Sequence, residues 1–171
     1  MSNFIINPNV FAVTESTELW SVTGTGENEG LSTNKTIIAQ RFLTGHVLIG
    51  KTITRFDANL RKAGSPTGDL TARIINSSNV QQLNMGTLDV DEDLTTEFVT
   101  KTFENTDGYV LADGDRLALY YASGDGSNYP DWQMNTTIEA YTNGSYYLNG
   151  SWTERESPPS GREFTMAVYG Y

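Results

Sequence analysis

The chain has 171 residues, no cysteine and a formal net charge of −10. It is long enough to bury one core, it excludes disulfides and thiolate metal sites, and its acidity argues against nucleic acid or an anionic membrane as a partner. Sixteen glycines and nine tyrosines, with abundant Ser, Thr and Asn, point to a turn-rich all-β domain rather than a disordered chain.

The opening MSNFIINPNVFAV carries neither a basic start nor a long apolar run, so no secretory leader is expected. No stretch approaches the ~18 apolar residues of a membrane span, which excludes insertion by a helix. Residues 1–35 read as an N-terminal arm. Its apolar set, Phe4, Ile5, Ile6, Val10 and Phe11, needs a partner, either a neighbouring subunit or the edge of its own sheet. TGTGENEGLSTN is a loop by composition.

From residue 36 the pattern becomes that of strands, and residues 36–171 form the expected sandwich domain. TIIAQRFL is a strand, and ITRFDANLRK alternates. Phe56, Ala58 and Leu60 fall on one face, and Arg55, Asp57, Asn59 and Arg61 on the other, the period of a half-buried strand. GSPTG reverses the chain through Pro66 and two glycines, and DLTARII resumes the alternation with Leu70, Ala72 and Ile74 inward. VQQLNMGTL, EFVTKTFE, RLALYYAS, WQMNTTIEAY, SYYLNG and REFTMAVYGY follow as strands, separated by polar turns. No segment has a helical period and no repeat is visible. This many strands with long connections fit two facing antiparallel sheets.

IAQRF, ITRFDANLRKAGSPTGDLTARI, DGDRLALYYASGDGSNYPDWQ, GSYYLNGSWT and FTMAVYG occur in this order. Together they resemble jelly-roll β-sandwich domains similar to carbohydrate-binding modules, of the kind found in viral structural proteins and secreted accessory modules. The likeness covers about residues 36–171, and KAGSPTGDLTARI and MAVYG are its most specific parts. It implies a jelly-roll β-sandwich of two antiparallel sheets. For function it admits a binder, a spacer or a shell decoration alike, since the same sandwich serves each role.

Three places carry candidate chemistry. SGDGSNYPDW brings Asp125, Asn128 and Asp131, hard oxygen donors of the kind calcium takes, beside the aromatic faces of Tyr129 and Trp132. The alternative is a plain turn with Trp132 in the core. The cluster Tyr141, Tyr146, Tyr147 and Trp152 offers a second aromatic set. Tyr146 and Tyr147 are adjacent in a strand and so face opposite sides, leaving Tyr147 and Trp152 as candidates to stack on a glycan or meet a neighbouring subunit. Asp89, Asp91 and Asp93 copy the first spacing of an EF-hand loop, but Leu94 and Thr100 stand where Gly and Glu are required. An acidic turn explains them.

No catalytic set is assembled. His46 is the only histidine and is expected at the surface or a sheet edge, Glu154 and Glu156 lie in a Pro-rich stretch, and no phosphate loop is present. No cofactor is required, with calcium the one candidate. The expected function is that of a non-enzymatic virion structural protein, made in the host cytoplasm and released on the particle surface: a capsid decoration, fibre, vertex or tail accessory protein. Its partners would be capsid or tail proteins and copies of itself, a trimer being one arrangement that fits. The alternative is an extracellular carbohydrate-binding module that attaches to cell-surface glycans.

Overall fold

The computed structural model describes residues 15–24, 27–135, 142–155 and 163–171. Among them the chain is built almost wholly of strands. In chain order these are β1 (Thr17–Val22), β2 (Glu27–Gly30), β3 (Lys35–Phe42), β4 (Thr52–Ala63), β5 (Asp69–Ile75), β6 (Gln81–Asp89), the short helix α1 (Val90–Asp93), β7 (Val99–Val110), β8 (Arg116–Tyr121), β9 (Tyr129–Asn135), β10 (Thr142–Leu148), β11 (Ser151–Arg155), β12 (Glu163–Phe164) and β13 (Met166–Gly170).

They form two antiparallel sheets, as an all-β sandwich requires. The first, seven-stranded, runs β1-β13-β4-β9-β12, with β2 on β9 and β7 on β4; the second, six-stranded, runs β11-β10-β3-β8-β5-β6. The sandwich therefore starts earlier than residue 36. β1 pairs with β13 and β2 with β9, so Thr17–Val22 and Glu27–Gly30 belong to the first sheet rather than to an arm. Sequence alone hid this because ENEG is short and polar. As an edge strand it is held by backbone bonds to β9 rather than by apolar side chains. The apolar set Phe4, Ile5, Ile6, Val10 and Phe11 lies outside the described residues.

Alternation places the core where the sequence predicts. Phe56, Ala58 and Leu60 of β4 face Leu70, Ala72 and Ile74 of β5 across one apolar interior, joined by Ile38, Phe42, Leu117, Leu119, Trp132 and Val168. Burial of this apolar surface is the main driving force for the fold. One polar group crosses the interior: Gln40 Oε1 of β3 accepts the Phe164 amide of β12 at 2.9 Å, tying one sheet to the other. His46 departs from expectation. It is 6% exposed and lies against Trp20 and Phe42, with ring centroids 5.0 Å from each. Its Nδ1 accepts the Leu48 amide at 3.2 Å, so the imidazole closes one end of the core instead of facing solvent.

Two turns show how local sequence sets the register. In GSPTG, Gly64 and Gly68 take positive φ of 67° and 96°, Pro66 is buried, and Thr67 O accepts the Tyr121 hydroxyl at 2.8 Å. In the β10–β11 hairpin, Asn149 and Gly150 both have positive φ, the two-residue reversal that suits the twist of paired strands. The acidic stretch after β6 is a helical turn rather than a cation loop. Asp89 caps α1 by accepting the amides of Asp91 and Glu92, and Lys62 and Lys101 pair with Asp91 and Asp93.

Candidate functional site

The outer face of the second sheet collects aromatic and arginine side chains in register. One cross-strand row reads Trp152, Tyr147, Ile37, Tyr120 and Thr71, from β11 to β5. The next holds Ser145, Ala39, Ala118 and Arg73, and beyond it Arg41 pairs with Arg116 and Arg116 with Ile75. All are outward because their neighbours Ile38, Leu117, Leu119, Leu70 and Ile74 point into the core.

The middle row is small, and that shapes the surface. Ala39, Ala118 and Ser145 are buried although they face outward, because larger residues fold over them. Trp152, together with Ile37, packs on Ala39, Ala118 and Ile75. The Arg116 guanidinium lies 4.4 Å from the Trp152 ring centroid, and the Tyr147 and Trp152 rings meet in an edge-type contact with centroids 5.6 Å apart. A second stack stands beside it, with the Arg73 guanidinium 3.9 Å from the Tyr120 ring centroid. Cation–π contacts of this kind fix both partners at modest cost in side-chain freedom. Burial draws the Arg73 guanidinium below its ordinary pKa, with Tyr120 acting in the opposite sense, and Arg73 Nε is enclosed without a hydrogen-bond partner.

The product is a platform with half-buried ring edges and fixed polar groups between them. The half-buried rings of Tyr120, Tyr147 and Trp152 offer apolar edges to a pyranose, and the half-buried Arg73 guanidinium offers N–H donors to hydroxyls or acids. Tyr147 and Trp152 were legible in the sequence. Tyr120, Arg73 and Arg116 were not, although Arg-Ala-Tyr at alternate positions of RLALYY is the signal that would have found Arg116 and Tyr120.

The loop 123–132 divides the remaining candidates. Asp125 Oδ1 accepts the amides of Ser127 and Asn128 at 2.7 and 2.8 Å, and the Asn128 side-chain amide donates to both Asp125 oxygens. These bonds, led by that from Asn128, hold the Asp125 carboxyl below the usual carboxylate range. Asn128 Oδ1 in turn accepts the Ser65 amide at 2.8 Å, so Asn128 clamps this loop to the β4–β5 turn. Asp131 Oδ2 accepts Arg61 Nε at 3.0 Å. The three oxygen donors are thus engaged in turns and an ion pair. Among the described residues no group of three His, Cys, Asp or Glu gathers for a metal ion.

Trp132 is corrected from a surface anchor to a core residue. It is 0% exposed, stacks on Phe164 with centroids 4.5 Å apart, and donates its indole N–H to Thr165 O at 3.0 Å. Strand parity forces this: Pro130, Trp132 and Met134 face inward, so Tyr129 and Asp131 face outward. Glu154 stands in β11, while Glu156 and Tyr141 lie outside the described residues.

The outer face of the first sheet is a polar ladder. Arg55 donates to both Asp57 oxygens at 3.0 and 2.7 Å, Thr102 donates to Asp57 at 2.8 Å, and the Arg55 guanidinium stacks 4.3 Å from the Tyr169 ring centroid. Burial pushes the Asp57 carboxyl upward, but the bonds from Arg55 and Thr102 outweigh it and the net direction is downward. Asn59 and Gln133 are hydrogen-bonded further along. No protein family, curated protein or solved structure matches the chain.

Proposed function

We propose that the protein is a non-enzymatic adhesion domain, a virion surface protein whose second sheet presents the Tyr147–Trp152–Arg116 and Tyr120–Arg73 platform to carbohydrate. The observation that carries the reading is the pair of stacks, one of them packed on Ala39 and Ala118, a half-buried surface suited to holding a ligand without reacting with it. The sequence resemblance to carbohydrate-binding modules supports both the ligand class and a jelly-roll winding. The virion setting rests on the same resemblance and on the apolar arm, which docks on a capsid or tail protein or on a second copy.

A glycan array, followed by titration of any hit, tests the ligand. Tyr147→Ala and Trp152→Ala are expected to abolish a saturable signal while the far-ultraviolet spectrum is kept. Isolated modules of this size bind in the range of ~1 mM, about −4 kcal/mol, so the array must be read at high protein density. Retention of full binding by both variants rejects the platform. For the arm, replacing Phe4, Ile5 and Ile6 with Ser is expected to lower occupancy on particles, and wild-type occupancy of that variant rejects trans docking.

A further inference from the structure

The outer face of β9 carries an unfilled acceptor. Asp131 is 1% exposed and its Oδ2 accepts Arg61 Nε, but Oδ1 is enclosed and meets no donor. Buried carboxylate oxygens are normally satisfied, and an exception calls for an explanation. Asp131 lies at a cleft of about 310 Å³ between β2 and the 123–128 loop, lined also by Asn28, Gly30, Ser32, Asp125 and Tyr129.

Gly30 stands opposite Asp131 in register. A Cβ there would come within 3.1 Å of Asp131 Oδ1 and 2.5–2.6 Å of two Tyr129 ring atoms. The glycine thus makes room for the tyrosine ring, and the ring lies at the side of the cleft nearest the orphaned oxygen. The 123–128 loop is hydrogen-bonded within itself and to its neighbours. Asp125 and Asn128 lock its turn, and Gly124 O accepts the Thr33 hydroxyl.

We propose that this cleft is a second binding site, on the opposite sheet from the platform, for the vicinal hydroxyls of a sugar. One hydroxyl donates to Asp131 Oδ1 once the Tyr129 ring turns about its side-chain bond. The apolar face of the sugar then packs on that ring, and Asn28 and Ser32 serve the remaining hydroxyls. A divalent cation fits the cleft poorly. The Asp125 carboxylate is committed to its turn, no third acid among the described residues joins Asp131, and the Lys35 ammonium, held by Glu29, lines the same space. The site shares with the platform only the reading that the ligand is carbohydrate. Two sites on opposite sheets make one chain bivalent.

Amide chemical-shift titration of the whole chain with glucose, galactose, mannose and N-acetylglucosamine tests this. Saturable shifts are expected at Gly30, Gly126, Tyr129 and Asp131. Asp131→Asn should weaken them at least ~tenfold, as loss of a charged hydrogen-bond acceptor predicts, and Trp152→Ala should leave them unchanged. Tyr129→Ala, which leaves the Asp131–Arg61 ion pair in place, should weaken them as well and serves if Asp131→Asn does not fold. Shifts confined to Tyr120, Tyr147 and Trp152 overturn the second site and leave the platform standing. Equal affinity in Asp131→Asn, or in Tyr129→Ala where Asp131→Asn does not fold, also overturns it. Saturable shifts at these amides with calcium chloride alone replace the sugar by a cation. No shift with any of the four sugars overturns both sites.

Discussion

Replacing Trp132 with Ala separates a core role from a binding role. The indole is fully buried, stacks on Phe164, lies 6.4 Å from the Phe56 centroid, and holds Thr165 O. Truncating a buried Trp costs about 3–5 kcal/mol from lost transfer energy and the cavity left behind. The lost hydrogen bond adds little, because Thr165 O keeps the Asn59 amide at 3.4 Å. A domain of this length loses roughly 2–4 °C per kcal/mol, so the melting temperature should fall by roughly 6–20 °C. In urea, at ~2 kcal/mol per molar, the midpoint should fall by about 2 M with an unchanged slope. Trp132→Phe keeps most of the stack and should cost only about 1–2 kcal/mol. Urea unfolding followed by circular dichroism is the assay. A Trp132→Ala protein with the wild-type midpoint but no glycan binding would refute the placement of this residue in the core.

Three further outcomes are expected. Gly170→Ala should destabilise severely or prevent folding, since its Cβ would overlap Thr52 O and approach the Thr52 carbonyl carbon to 2.9 Å where β13 joins β4; soluble yield and thermal melting read this. The folded Asp57 carboxyl is depressed, so its contribution is present above the unfolded value of about 3.9 and is lost as pH falls through the folded value. Asp57→Asn should flatten the fall in stability below about pH 4, measured by urea midpoints across pH. Asn128→Ala should free the 123–128 loop from the β4–β5 turn, seen as faster hydrogen exchange at Ser65, Ser127 and Asn128, with a stability loss of about 1–2 kcal/mol.

Alternation made the strands readable, because a half-buried strand writes its two faces directly into residue order. Phe56, Ala58 and Leu60, and Leu70, Ala72 and Ile74, needed no knowledge of their neighbours. Trp132 did. Asp131 and Trp132 must face opposite ways, but which one faces the core is decided by pairing with Leu60 and Arg61, some 70 residues earlier. The platform was half visible for the same reason. Tyr147 and Trp152 share a hairpin, whereas Tyr120, Arg73 and Arg116 reach it only through register between distant strands. His46 was misplaced because a turn residue is expected outside. Here Trp20, from a strand hidden in a polar stretch, covers it.

The position of β13 has a consequence for synthesis. It lies between β1 and β4, and Ile53 waits for Gly170 while Thr52 exchanges both backbone bonds with Tyr171. A ribosome delivers that strand after every other described element, so the nascent first sheet carries an open seam along β4 until translation of this region ends. Long-range closure of this kind is slow, and an unpaired strand edge invites the wrong neighbour. Crowded synthesis should therefore favour aggregation of unfinished chains, and finished ones should resist it.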